Sequence, residues 1–228
     1  MREAGLRGFW RRNSLSIVVL AFFVFFWAGQ AVAGWLSYNE MRIEHQLAPL
    51  NLTRYLSSSH FIEATSENWE SEFLQMGLFV LLTVFLRQKG SAESNPMPEE
   101  EGEEDSGSAE HSIKSEPSAA RQRPRRGLGR WLYEHSLSLA FFLLFFLAFV
   151  AHAISGASLE NSERMAHNEP PQELLGFLAS SQFWFESFQN WQSEFLAVGA
   201  IVLLSIWLRE RGSSQSKPVD APNEKTGG

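Results

Sequence analysis

Residues 68–74 read Asn-Trp-Glu-Ser-Glu-Phe-Leu, and residues 190–196 read Asn-Trp-Gln-Ser-Glu-Phe-Leu. The match extends in both directions without a gap, so that residues 14–94 align with residues 136–216 at a constant offset of 122 positions. We count 30 identities among these 81 pairs, seven of them within the ten positions 68–77. The chain therefore contains an internal duplication.

Each copy carries two long apolar runs. The first runs, residues 15–36 and 137–157, have the length of about 20 residues that crosses the hydrocarbon core of a bilayer. The second runs, 73–86 and 195–208, reach that length only when they are extended back to Asn68 and Asn190. Backbone groups within lipid must be hydrogen-bonded inside the segment, which favours helices. The fold class predicted is an all-α membrane protein with four transmembrane helices, arranged as two parallel two-helix repeats.

The basic residues predict the orientation. Sixteen of the nineteen Lys and Arg residues lie in the termini, in the segment between the repeats or at the ends of the second helices, and the loops inside the repeats hold only Arg42, Arg54 and Arg164. Because positive residues stay on the cytoplasmic side, both termini are expected in the cytoplasm. The first apolar run also has features of a cleavable signal, but its counterpart in the second repeat is internal, which favours a retained helix.

These patterns divide the chain into five parts. Residues 1–13 form a cytoplasmic N-terminus. Repeat 1 is 14–87, with helices at about 15–37 and 68–87, and repeat 2 is 131–209, with helices at about 136–158 and 190–208. The linker 88–130 and the tail 210–228 are poor in apolar residues and predict disorder.

An amphipathic stretch precedes the second helix of each repeat. Residues 52–67 and 174–189 place apolar side chains at helical spacing with polar ones between them. Such a segment lies in the membrane interface or enters the membrane as a re-entrant piece, and the interfacial alternative is favoured.

Polar side chains within the spans are the candidate site. An ionisable residue in a membrane is costly and usually has a partner or a function. Gln30, Glu72, His152 and Glu194 all fall in the outer part of the predicted spans, so His152 and Glu194 could share a proton. Alternatively, Glu72 and Glu194 reach the water at the lipid headgroups or cap the starts of their helices, as Ser71 and Ser193 could. The repeated motif also contributes Asn68, Trp69, Asn190 and Trp191, and the two tryptophans suit a membrane interface.

Several kinds of chemistry lack support in the sequence. The chain has no cysteine, no phosphate-binding glycine loop and no zinc-helix motif. We expect no enzyme activity, no cofactor, no metal site and no nucleic-acid partner. The expected partners are membrane lipids and further copies of the chain, and the linker, with its basic cluster at 121–130, is expected to bind anionic lipid or a protein.

The repeated Asn-Trp-x-Ser-Glu-Phe block, with Ser-Leu-Ser at 14–16 and 136–138, resembles an uncharacterised family of bacterial integral membrane proteins. The resemblance covers about two thirds of the chain. It implies a domain of unknown function in the bacterial inner membrane, and it implies no activity. From the residues alone, two roles stay open: conduction of protons or a small solute through a pseudo-two-fold four-helix bundle, and a non-catalytic structural or interaction role.

Overall fold

The computed structural model describes residues 2–98 and 127–227, with side chains from Phe9 onward. In this part of the chain all regular structure is α-helical, which confirms the all-α expectation. The helices are α1 (Arg2–Glu44), α2 (Leu52–Leu56), α3 (Ser59–Phe85), α4 (Leu128–Glu134), α5 (Ser136–Ala166), α6 (Leu174–Leu178) and α7 (Ser181–Leu204). Most of the predicted disordered linker 88–130 lies outside the described residues.

Two helices are long and apolar enough to cross a membrane: Phe9–Glu44 within α1, and α5. Both expose large apolar side chains in their central turns, such as Phe25 and Phe26 on α1 and Phe146 on α5. The predicted number of spans was four. Helices α3 and α7 are less apolar: α3 carries four glutamates before its apolar segment 73–85, and α7 carries two and ends at Leu204, four residues before the predicted end, so its apolar segment 195–204 has only ten residues.

The second helix of each predicted repeat begins earlier than expected. Helix α3 starts nine residues before Asn68, and α7 starts nine residues before Asn190. Serine hydroxyls explain both starts: Ser58 Oγ accepts from the backbone N–H of Phe61 (3.4 Å) and Ser180 Oγ accepts from that of Phe183 (3.3 Å). The amphipathic stretches are therefore a short helix, α2 or α6, followed by the first turns of α3 or α7.

Helix bounds recur 122 positions apart. Helix α2 matches α6 at both ends, the starts of α3 and α7 match, and so do the ends of α1 and α5. Two residues beyond those last ends, Gln46 and Asn168 both adopt a left-handed conformation with φ of 59°. Such a residue ends a helix by turning the chain so that later backbone N–H groups reach the last carbonyls.

The described residues form two compact units. The first comprises Met1–Thr65 and Ser155–Pro171. In it α2 packs against α1: Tyr55 is 1% exposed, and its hydroxyl occupies the space that a Cβ at Gly34 would need. The loop between them is tied to α1, since Trp35 Nε1 (2.7 Å) and Asn39 Nδ2 (2.9 Å) both donate to the carbonyl of Leu50.

The second unit comprises the described residues of 66–154 and 172–227, and packs parts of α3, α5 and α7 together. Gly77 lets α3 approach α5, because a Cβ there would lie 3.3 Å from the side chains of Phe141 and Phe142. On α7, Phe183 makes an edge-to-face contact with Phe149 of α5 at 5.4 Å between ring centroids.

The segment after α7 packs against the segment after α3, and we call this arrangement the C-terminal clasp (residues 88–96 with 205–227). Ser91 pairs with Ser205 (Oγ–Oγ 3.1 Å), and the backbone N–H of Gly227 donates to the carbonyl of Ser91 (2.9 Å). Lys217 is 1% exposed, and its ammonium donates to the carbonyls of Asn223 and Lys225 at 3.0 Å each. The composition of 210–228 predicted disorder because little apolar surface is available; here, hydrogen bonds from side chains to backbone order residues up to 227.

Candidate functional site

A carboxylate and an imidazole are fully buried against each other in the second unit. Glu70 of α3 and His152 of α5 are both 0% exposed, and Glu70 Oε2 lies 2.8 Å from His152 Nδ1. This is a hydrogen bond between two helices, with the imidazole as donor when Glu70 is ionised. Burial without such a partner would be costly for either group.

The other oxygen of Glu70 also has a donor. The indole Nε1 of Trp191, on α7, donates to Glu70 Oε1 at 3.0 Å. Each carboxylate oxygen of Glu70 therefore faces a nitrogen from a different helix. This arrangement stabilises a negative charge on Glu70 in a place that excludes water.

A second carboxylate faces the far side of the imidazole. Glu186 of α7 places Oε2 3.6 Å from His152 Nε2, slightly beyond hydrogen-bond distance. Its other oxygen, Oε1, accepts from the amide of Gln182 one turn earlier. Unlike Glu70 and His152, the Glu186 side chain is 21% exposed. The three groups thus form a chain from a partly exposed carboxylate, through an imidazole, to a buried carboxylate.

Both of these neighbours influence the protonation of His152. A neutral imidazole has one N–H and can donate to only one carboxylate, whereas the imidazolium has an N–H on both sides. Two flanking carboxylates therefore favour the charged ring when both are ionised. A carboxylate that takes up a proton no longer favours the charged ring, so the protonation states of the three groups are coupled.

Aromatic rings pack against the imidazole of His152. Phe183, 0% exposed, lies with its ring centroid 4.9 Å from that of His152, and it also packs against Phe177 at 5.5 Å. Ser187 is 1% exposed, and its hydroxyl has no hydrogen-bond partner among the described residues. Phe183 and Ser187 thus shield the imidazole, which is itself 0% exposed, from solvent.

Further polar contacts join α3 to α7. Asn190 Nδ2 donates to Glu67 Oε1 and to the carbonyl of Glu186 (3.2 Å). Deeper along α3, Gln75 Nε2 donates to the carbonyl of Glu194 at 2.9 Å, and Gln75 is 7% exposed. With Trp191 and Glu70, these contacts place polar groups at three successive levels between the two helices.

The four residues predicted for the polar layer are placed differently from one another. His152 is at the centre of the buried cluster. Glu72 is exposed, Glu194 is part-buried with its backbone carbonyl bound by Gln75, and Gln30 is a part-exposed residue of α1. The partners of His152 are Glu70 and Glu186, whereas the sequence suggested Glu194.

The motif residues divide by helix face. Asn190 and Trp191 contribute to the cluster through Glu67 and Glu70, and Ser71 is 2% exposed beside them. Asn68, Trp69 and Ser193 are exposed. The capping alternative for Ser71 and Ser193 is wrong, because both lie more than ten residues inside their helices and donate to carbonyls three residues earlier, at 2.8 Å.

Sequence reasoning missed Glu70 and Glu186. One signal could have found Glu70: its counterpart 122 positions later is Gln192, and the counterpart of His152 is Gln30. Each of the two ionisable residues thus has a neutral amide at the equivalent position of the other repeat. Glu186 aligns with Ala64 and gives no such signal.

A comparison with protein families matches residues 6–228 to a domain of unknown function, DUF6766. The chain belongs to this family. Comparison with curated proteins and with solved structures found no match. The expectation of an uncharacterised domain is therefore confirmed, and membership of DUF6766 brings no activity with it.

Proposed function

We propose that this DUF6766 chain is a non-enzymatic integral membrane protein of the bacterial inner membrane that carries protons, or a small solute coupled to protons. In this proposal α1, α3, α5 and α7 are the four spans, the two repeats are parallel, and both termini are cytoplasmic. The distribution of basic residues and the recurrence of helix bounds at an offset of 122 positions support that topology.

Pairing of polar groups supports α3 and α7 as spans despite their acidic residues. A hydropathy criterion counts each charge as if it faced lipid. Glu70 is instead fully buried with donors on both oxygens, and Glu67 is bonded to Asn190. Ionisable groups that face the interior of a bundle and pair with each other are the form in which such residues occur within membranes.

The chain Glu186–His152–Glu70 is the observation that carries the proposal. A proton on Glu186 can pass to Nε2 of the neutral imidazole, after which Nδ1–H passes its proton to Glu70. The imidazole then carries its proton on Nε2, and Glu70 carries the transferred proton. The starting state returns when Glu70 has released that proton, the ring has exchanged its tautomer and Glu186 has taken up a new proton. A histidine between two acids suits this relay because it accepts at one nitrogen and releases at the other.

The accessibility of the groups gives the relay a direction. Glu186 is one-fifth exposed, whereas His152 and Glu70 are shielded from solvent, so protons enter or leave at Glu186. From Glu70 toward the C-terminus of α3, the buried polar side chains are those of Ser71 and Gln75. Gln75 lies about 7.5 Å from Glu70 along the helix axis by the helical rise. An amide does not carry protons itself, so this section of the path requires water.

Proton flux into liposomes tests the proposal. The full chain is reconstituted, a pH gradient is imposed, and interior pH is followed with a trapped dye. The variant Glu70→Gln keeps the shape of the side chain and removes the ionisable group. The matched control is Glu72→Gln, the same substitution two residues away at an exposed position.

We expect flux from the wild type, its loss in Glu70→Gln and in His152→Gln, and wild-type flux in Glu72→Gln. Circular dichroism and gel filtration establish that each variant is folded. Equal flux from wild type and Glu70→Gln would refute the relay. No flux from any protein would favour the second candidate function, a structural or interaction role in which the buried pair fixes the register of α3 against α5.

A further inference from the structure

A pocket of about 320 Å³ lies in the first unit, where α1 and α5 end. Its polar lining comes from Arg42 and His45 on one side and from Glu163 and His167 on the other. Its apolar lining includes Leu47 and Leu159. The volume is at the lower end of the range for small-molecule sites, and none of these residues belongs to the buried cluster.

The guanidinium of Arg42 is held in a fixed position. Its Nε donates to the carbonyl of Ala48 at 2.8 Å, and its central carbon lies 5.8 Å from the ring centroid of Tyr38. The residue 122 positions later, Arg164, is held in the same way, with Nε donating to the carbonyl of Pro170 at 2.9 Å. The two arginines therefore share their anchoring to the loop that follows their helix.

The two arginines differ in their counterions. Arg164 pairs with Glu160 at 3.7 Å and with Glu169 at 3.4 Å. At the corresponding positions beside Arg42 the chain has Tyr38 and Leu47, and both of these residues line the pocket. Among the described residues, no carboxylate oxygen lies within 4.0 Å of the Arg42 guanidinium. Its two terminal nitrogens thus lack the acidic groups that neutralise Arg164.

The backbone carbonyls of Arg42 and Ile43, at the end of α1, do not compete with an anion for the Arg42 guanidinium. The carbonyl of Arg42 accepts from the backbone N–H of Leu47 (2.7 Å), and that of Ile43 accepts from Gln46 (2.9 Å). These last carbonyls of the helix are therefore satisfied within the turn. Glu163 is the acidic group that lines the pocket, and its side chain is exposed to solvent, which weakens its repulsion of an anion.

We propose that this pocket binds a small oxyanion, a carboxylate or a phosphate ester, that carries a short apolar substituent. The terminal nitrogens of Arg42 suit the paired oxygens of such a group, because a guanidinium donates two parallel hydrogen bonds. His45 and His167 supply further nitrogens at the rim, and Leu47 and Leu159 contact the substituent. The ligand comes either from solution or from the headgroup of an anionic lipid.

Calorimetric titration of the purified full chain in neutral detergent tests the proposal, with hexyl phosphate and hexanoate as probes. Three variants are compared with the wild type. Arg42→Gln removes the charge, Leu47→Glu supplies the carboxylate that Arg164 has at the corresponding position, and Arg164→Gln is the matched control. Leu47→Glu leaves Arg42 and its bond to Ala48 in place, so it separates loss of binding from loss of the loop anchor.

We expect at least one probe to bind the wild type, and Arg42→Gln and Leu47→Glu each to weaken that binding about tenfold or more. Arg164→Gln should change the affinity by no more than about twofold, because an exposed, already paired arginine contributes little. Absence of binding of both probes to the wild type would overturn the proposal. So would equal weakening by Arg42→Gln and Arg164→Gln, or unchanged affinity in Leu47→Glu.

Lipid nanodiscs distinguish the two sources of the ligand. The affinity for hexyl phosphate is measured in discs of phosphatidylcholine alone and in discs that also contain phosphatidylglycerol. If phosphatidylglycerol weakens the affinity in the wild type, it competes for Arg42 and the ligand is a lipid headgroup. If it leaves the affinity unchanged, the pocket takes its oxyanion from solution.

Discussion

Replacing Glu70 and His152 by glutamine, singly and together, tests the energetic coupling of the buried pair. His152→Gln leaves the buried Glu70 carboxylate with neutral donors in place of a charged partner, and removing one partner of a buried ion pair costs about 3–5 kcal/mol. Glu70→Gln costs less, about 2 kcal/mol, because the second carboxylate, Glu186, still lies 3.6 Å from the imidazole. The double variant puts two neutral amides in the same space, and glutamine is also the residue at the two repeat-equivalent positions, 30 and 192.

The two amides can bond to each other, and Trp191 can donate to the one at position 70. We therefore expect the double variant to be destabilised by about 1–3 kcal/mol, less than His152→Gln alone, which gives a coupling energy of about 2–6 kcal/mol. The assay is equilibrium unfolding in mixed micelles of a mild detergent and dodecyl sulfate, followed by far-ultraviolet circular dichroism. Free energies of unfolding are compared in a double-mutant cycle, with Glu72→Gln as the exposed control.

Additive effects would refute the reasoning. If the destabilisation of the double variant equals the sum of the two single variants within about 0.5 kcal/mol, Glu70 and His152 do not interact energetically. The same conclusion would follow if His152→Gln were as stable as the wild type, because loss of the imidazole beside the buried Glu70 carboxylate would then leave the free energy of unfolding unchanged.

Three other predictions concern the rest of the described chain. Gly34→Ala is expected to lower stability by about 1–3 kcal/mol in thermal unfolding, because its Cβ collides with the Tyr55 hydroxyl, while Gly29→Ala, which meets nothing within 4 Å, should be neutral or slightly stabilising. Burial lowers the pKa of His60, so the contribution of this group to the free energy of unfolding is full above its unfolded pKa of about 6.5 and is lost as pH drops below that value. The thermal unfolding midpoint of the wild type should therefore decrease more between pH 7 and pH 5 than that of His60→Gln. Lys217→Met removes the ammonium that holds the C-terminal clasp, and limited proteolysis should then cut this segment faster than in the wild type.

Helix content was predictable because it depends on local composition. The apolar runs at 15–36 and 137–157 exclude strands and require helices, and α1 and α5 contain both. The starts of α3 and α7 were placed too late because the prediction followed hydrophobicity. The helix-initiating signals are polar, namely the hydroxyls of Ser58 and Ser180, which begin the helices while the chain is still amphipathic.

The candidate site was only partly predictable because partner choice depends on packing between helices. His152 was identifiable as a basic group in an apolar run, but Glu70 and Glu72 have nearly the same sequence context. They lie two residues apart and so about 200° apart around the helix, which puts one inside and the other outside. Which face of α3 meets α5 is decided by contacts such as Gly77 with Phe141, far from the acidic residues in sequence.

The C-terminal clasp has a consequence for how the protein can be made. Residues 91 and 227 are joined by a backbone hydrogen bond, and Glu70 is bonded to His152. Both contacts join the part of the chain before residue 99 to the part after residue 126. The covalent connection between these two parts mainly raises the effective concentration of each part for the other. Two separately synthesised pieces, ending and beginning within residues 99–126, should therefore find each other and reassemble, which would allow each half to be labelled independently for spectroscopy.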